Sequence, residues 1–251
     1  MIWDVVLVLI GFAALIGGGE FLVKGAVGIA AKAKLSKLVI GMTVVSFGTS
    51  APELIVSLHS ASQGLPEIAI GNVVGSNIAN IALVLGVTVL IFPMPVSRSS
   101  MRFDWPMMML ASGLFYVFAL DLSIQRWEGI LLFTLLIAFI VFLIRKSRKD
   151  QSIELDDIED IDQLTDKINV WKQVMFLVIG LIGLFFGSNW LIEGAASIAT
   201  EFGLSKHVIG ITVIAFGTSV PELATSVVAA FKKETDISVG NLIGSNIFNI
   251  M

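Results

Sequence analysis

The chain has no cysteine, a single tyrosine, two histidines and only 14% charged residues across 251 positions. Without cysteine there is no disulfide, no thiolate metal ligand and no cysteine nucleophile. A soluble domain carries about a quarter of its residues as charges, so this chain has too few to cover a water-facing surface. The net charge of −4 gathers mostly after residue 150. There is no basic patch suited to nucleic acid, which excludes a nucleic-acid partner. HExxH and GxSxG are missing, and the serines within apolar runs lack a paired base, so the chain is not read as an enzyme.

What it has is apolar length, with 56% hydrophobic residues. A bilayer is crossed by about 20 apolar residues of helix. Spans are expected at roughly 2–30, 38–62, 68–93, 104–121, 127–145, 171–199, 207–231 and from 238 onward. The first lacks a basic segment before its apolar run and is read as a helix that stays in the membrane, not a cleaved signal. The lipid bilayer is the first partner, and the expected location is the cell membrane, multi-pass.

The chain is also duplicated. FGTSAPEL at 47–54 returns as FGTSVPEL at 216–223, and GNVVGSNIANI at 71–81 returns as GNLIGSNIFNI at 240–250. LSKLVIG at 35–41 matches LSKHVIG at 204–210 with the same offset of 169. About half the positions agree between 17–82 and 186–251 without a gap, which chance cannot produce. The division is a first membrane repeat at 1–145, an acidic linker at 146–170 and a second repeat at 171–251.

Basic residues mark alternate loops: Lys32, Lys34 and Lys37; Arg98 and Arg102; Arg145, Lys146, Arg148 and Lys149; Lys232 and Lys233. The positive-inside rule makes these loops, and the 146–170 linker, cytoplasmic. The N-terminus is then outside, and five spans per repeat invert the second repeat relative to the first. Inverted repeats are common in secondary transporters, which bind their substrate near the midplane. By the repeat, the counterpart of residues 83–145 lies beyond Met251, so a fragment of a ten-span protein is expected, with about eight spans present.

Glu53 and Glu222 lie inside apolar spans, at equivalent positions. Intramembrane carboxylates cost several kcal/mol and usually mark ion paths. Thr49 and Ser50 stand four and three residues before Glu53 and share its helix face, as Thr218 and Ser219 do for Glu222. Pro52 and Pro221 cannot donate a backbone bond, which frees the carbonyls of Gly48 and Gly217. Asn72, Ser76 and Asn80 form a polar stripe at four-residue spacing, copied by Asn241, Ser245 and Asn249. Asn72 and Asn241 are equally readable as helix glue; Asn77 and Asn246 fall off the stripe and carry less weight. Gly71/Gly75 and Gly240/Gly244 are GxxxG pairs that allow close helix approach. All the donors are oxygen, the chemistry of calcium and sodium and not of zinc or copper. Two carboxylates balance one calcium ion, and sodium ions competing for them would give exchange.

His59 is read as a packed helix residue and not a proton relay, and His207 as interfacial. The acidic run 153–166 lacks an EF-hand pattern and is read as a solvated linker. Lys24 and Glu193 are equivalent in the first and sixth spans and have no role in this reading.

The doubled GTS-x-PE and GN-x-x-GSN-I-x-N segments resemble the alpha-1 and alpha-2 repeats of the sodium/calcium exchanger family, within the cation/calcium antiporter superfamily, in a prokaryotic-type form. The resemblance implies an all-α polytopic fold of two inverted five-helix repeats, with helices 2, 3, 7 and 8 as its core. It implies that Glu53 and Glu222 are shared by calcium and sodium. It makes Thr49, Ser50, Thr218 and Ser219 sodium ligands, and Ser76, Asn80 and Ser245 further polar ligands. Ser46 and Ala215 fall where family members offer a backbone carbonyl to sodium. Asn249 stands where the family often has Asp, which disfavours potassium cotransport. The implied activity is antiport of calcium against sodium with no cofactor; a calcium/proton antiporter shares much of this core and is the alternative. A passive channel is disfavoured by the inverted duplication within one chain.

Overall fold

The computed structural model describes residues 1–155, 168–204 and 215–251. Ten helical segments follow one another among them: α1 (Ile2–Ala33), α2 (Lys37–Thr49), α3 (Ala51–Ser62), α4 (Pro66–Ile91), α5 (Ser100–Asp121), α6 (Arg126–Leu155), α7 (Val170–Glu201), α8 (Ala215–Thr218), α9 (Val220–Phe231) and α10 (Thr235–Ile250). Five are long and apolar enough to cross a membrane, and α2 and α3 reach that length and apolarity only together, across a bend of 46°. Large apolar side chains such as Ile2, Leu90 and Trp171 lie exposed at 85%, 88% and 83%. On a chain this poor in charge, such a surface faces lipid, and the protein is a multi-pass, all-helical membrane protein.

α1 and α7 occupy equivalent places in the two repeats and pack together along their lengths. Their seam is built on glycine, because lipid tails are as apolar as leucine and helix association in a bilayer relies on close packing. A Cβ on Gly11 would sit 2.8 Å from the Gly187 carbonyl, one on Gly18 2.7 Å from Leu184 N, and one on Gly25 2.8 Å from Leu177 N. Contact positions fall along α7 as they rise along α1, so the helices are antiparallel. Equivalent helices running in opposite directions are the inversion expected from the loop charges. Leu15, Leu22, Leu184 and Leu191 fill the gaps between glycines. At the far end, the Met1 amine meets Glu201 at 2.9 Å.

α10 runs parallel to α2. Gly240 packs against Leu38 and Met42, and a Cβ on Gly244 would lie 2.7 Å from the Met42 carbonyl. This GxxxG pair does what its spacing predicts. At Gly71 and Gly75 nothing among the described residues lies within 4 Å of a Cβ.

Two differences from the expected spans have clear causes. The span expected at 38–62 is broken at Ser50, with φ −87° and ψ 3°, and Ser219 repeats the break at φ −87° and ψ 1°. Pro52 and Pro221, two residues on, remove the backbone donor that would have continued the ladder. α6 runs to Leu155, about ten residues into the segment read as linker, since RKSRKD offers no Gly or Pro to stop it. The acidic run beyond residue 155, His207 and most of the second LSKHVIG segment lie outside the described residues.

Candidate cation site between the repeats

The two helix breaks place Glu53 in the first turn of α3 and Glu222 in the first turn of α9. Both are buried, at 3% and 0% exposure. The halves meet through side chains from the four motif segments. Ser50 Oγ donates to Glu222 Oε1 at 3.1 Å. Thr49 Oγ1 donates to Asn241 Oδ1 at 3.1 Å, and Asn249 Nδ2 donates to Ser76 Oγ at 3.1 Å. Asn80 Nδ2 reaches Asn246 Oδ1 at 3.4 Å. Each of these bonds joins a residue of one repeat to a residue of the other.

The unpaired atoms are as informative. Among the described residues, both carboxylate oxygens of Glu53 lack a hydrogen-bond partner while buried, as do Glu222 Oε2, Ser219 Oγ, Thr225 Oγ1, Ser245 Oγ, Asn80 Oδ1 and Asn249 Oδ1. A buried unsatisfied polar atom costs about 1–3 kcal/mol, more when charged. Eight such atoms on the motif segments and the turn after Glu222 mark a place that a bound ion or water completes. Every one is an oxygen. No group of three or more His, Cys, Asp or Glu side chains is gathered for a metal among the described residues, so two carboxylates and neutral oxygens are the donor set. Glu53, Ser50 and Asn249 border a cavity of ≈ 80 Å³ together with Ser57 and Phe248. Glu222 does not.

The remaining candidates are placed as follows. Ser46 is fully buried, and its carbonyl accepts from the Ser50 amide at 2.9 Å and lies 3.3 Å from the Thr49 hydroxyl, whose one proton it shares with Asn241. Thr218 is half-buried beside Ser219, and Ala215 opens α8. Asn80 begins a widened, π-helical turn, Asn80–Leu85, a feature frequent at functional sites.

Several sequence readings are corrected. The carbonyl freed at Gly217 is not open, because Ser188 Oγ donates to it at 2.7 Å. Gly19, the position equivalent to Ser188, has no hydroxyl to do the same for Gly48. Asn246, given little weight, is buried and bonded to Asn80, whereas its counterpart Asn77 only donates to Val73 O at 2.7 Å. Asn72 acts as glue within its repeat, its Nδ2 meeting Ser57 Oγ at 2.9 Å, whereas Asn241 does both, with Nδ2 3.4 Å from Ser226 Oγ in its own repeat and Oδ1 bonded to Thr49 of the other. His59 is exposed and not packed. Ser57 and Ser226 obey the 169 offset, so comparing the repeats would have revealed them; Ser188 does not, and that comparison would have discarded it.

The sequence pattern of the sodium/calcium exchanger protein family matches residues 3–145 and 172–251. Among similar proteins, a putative antiporter, CaxA, of Alkalimonas amylolytica is 39% identical over 251 residues, covering 100% of this chain and 79% of its own. The sodium/calcium exchanger MaX1 of Methanosarcina acetivorans is 33% identical, covering 97% of this chain and 79% of its own. The solved structure of a sodium/calcium exchanger from Methanococcus jannaschii superposes with a TM-score of 0.84 at 32% identity, over 99% of this chain and 78% of that one.

Proposed function

This chain belongs to the sodium/calcium exchanger family of cation/calcium antiporters, and on that premise we propose that it exchanges calcium for sodium by alternating access at Glu53 and Glu222. The observation that carries the proposal is the set of unpaired buried oxygens around the two carboxylates. Calcium takes six to eight oxygen ligands, and Glu53, Glu222, Ser219, Ser245, Asn80 and Asn249 offer oxygens of that kind. The pair supplies a charge of −2, which one calcium ion neutralises.

Sodium is proposed over the proton as the driving ion because a relative that covers nearly the whole chain, MaX1, is a sodium/calcium exchanger, and because the oxygens that would hold calcium can hold sodium in turn. The hydroxyls and amides of Thr49, Ser50, Thr218, Ser219, Ser76, Asn80, Ser245 and Asn249 are proposed as the shared shell. Carbonyls at Ser46 and Ala215 belong to the same proposed shell. Asn249 puts a neutral amide where an acid would add a charge, so exchange is proposed to be independent of potassium. The orientation is the one read from the basic loops, with residues 146–170 cytoplasmic.

The test is calcium flux into vesicles under an imposed sodium gradient at clamped pH. Sodium-dependent flux is expected, and it should vanish in Glu53→Gln while the protein still folds. Flux that follows a proton gradient and ignores sodium makes it a calcium/proton antiporter; flux coupled to neither makes it a channel.

A further inference from the structure

Outside the site described above, one buried side-chain atom has no partner among the described residues: Asp104 Oδ2. Asp104 is 1% exposed. It closes the widened turn Ser100–Asp104 that opens α5, and Ser100 hydrogen-bonds its carboxylate. The carboxylate lines a cavity of ≈ 260 Å³ with Ser36, Ser99, Lys146, Asp150 and Asp236. Lys146 is a counter-charge that acts on the carboxylate through space, but its ammonium makes its direct contacts elsewhere. It donates to Ser99 Oγ at 2.7 Å and lies 3.6 Å from the centre of the Phe103 ring.

Of the charged lining residues, three are carboxylates and one is an ammonium, an excess of two negative charges. The other polar donors are serine hydroxyls, so the chemistry is again that of a hard cation. The three carboxylates are not gathered for direct chelation, so an ion here keeps part of its water. The walls come from the start of α2, from α5 and α6, and from the first turn of α10. α2 carries Thr49 and α10 carries Asn241 and Asn249, all engaged at the transport site.

We propose that the Asp104 cavity is a second divalent-cation site, separate from the transport pair, in which Asp104 contacts the ion and Asp150 and Asp236 hold it through water. Occupancy ties the ends of two transport-core helices to the α5–α6 pair. A partly hydrated site with one buried carboxylate belongs among weak calcium sites, roughly 10⁻⁴ to 10⁻³ M.

The experiment is equilibrium binding of radioactive calcium to the full chain in lipid nanodiscs. In the double variant Glu53→Gln/Glu222→Gln, with transport ligands disabled, one calcium per chain is expected to remain. Adding Asp104→Asn should abolish it. Should Asp104→Asn fail to fold, Asp150→Asn and Asp236→Asn, both at exposed positions, are each expected to weaken the remaining binding about tenfold. No calcium in the double variant, or binding unchanged by all three Asp substitutions, overturns the proposal. Neither result bears on exchange, which the vesicle assay tests in protein with Asp104 intact.

Discussion

Glu222→Gln is the sharpest perturbation of the proposed mechanism. The side chain keeps its shape, and Gln Oε1 can still accept from Ser50 Oγ, which stands 3.1 Å from the carboxylate. What changes is charge. In wild type a carboxylate at 0% exposure has one oxygen without a partner and a second carboxylate nearby. Burying an uncompensated charge costs several kcal/mol, and burying an amide costs less. Without ions the variant should therefore match or exceed wild type, by about 1–3 kcal/mol. With calcium the order reverses. At a hundred times Kd, binding stabilises wild type by about 2.7 kcal/mol, which for a chain of this size is a shift of roughly 5–10 °C in Tm. The variant retains one negative charge against a divalent ion and should show almost no shift. The assay is thermal unfolding in detergent, with and without calcium, in a background carrying Asp104→Asn so that only the transport pair reports. A calcium shift in Glu222→Gln equal to that of its parent refutes the claim that the paired charges hold the ion.

The remaining predictions use the same unfolding measurement. Ser50→Ala removes a hydrogen bond to a buried carboxylate and should cost roughly 1.5–3 kcal/mol without ions. Ser219→Ala removes a hydroxyl with no partner among the described residues and should cost less than about 1 kcal/mol; both should shrink the calcium shift. At the α1–α7 seam, Gly18→Ala drives a Cβ to 2.7 Å from Leu184 N and should destabilise by about 1–3 kcal/mol. Its neighbour Gly17, with nothing within 4 Å of a Cβ, should gain up to about 1 kcal/mol from the same change. Ser188→Ala leaves the Gly217 carbonyl without its donor and should cost roughly 1–3 kcal/mol.

Much of this was legible because the chain says the same thing twice. The 169 offset marked Glu53 and Glu222, and alternating basic loops gave the inversion that antiparallel α1 and α7 display. Proline two residues past a serine hinted at the helix breaks, although the span 38–62 still read as continuous, since hydropathy does not register a 46° bend. The partners were harder. Thr49 meets Asn241, not a residue of its own repeat, and no spacing within one repeat predicts a contact across the interface. Asn246 was underweighted because helical spacing put it off the polar stripe, yet a second helix, α4, approaches that side and supplies Asn80. Ser188 and Asp104 were invisible for the opposite reason: neither belongs to a doubled motif, and each matters only through what folding sets beside it.

The most consequential feature is one that duplication conceals. The repeats carry the same motif residues, but the bonds at their interface are unequal. Ser50 reaches Glu222, while the equivalent pair, Ser219 and Glu53, is unmade, with Ser219 Oγ and both Glu53 oxygens unpartnered among the described residues. Glu53 borders the ≈ 80 Å³ cavity, and Glu222 is closed off. On the proposed alternating-access mechanism, the internal two-fold symmetry of the sequence predicts a second state in which the roles are exchanged: Ser219 donates to Glu53, and Glu222 meets the opening. The doubled motif residues would give both states the same kinds of contact at the carboxylates, so a modest difference in ion binding would suffice to shift the population between them. Inverted repeats suit antiport for this reason. They supply two faces of one site, and on the proposed mechanism the buried pair of carboxylates would hold back the passage between them until a cation neutralises it.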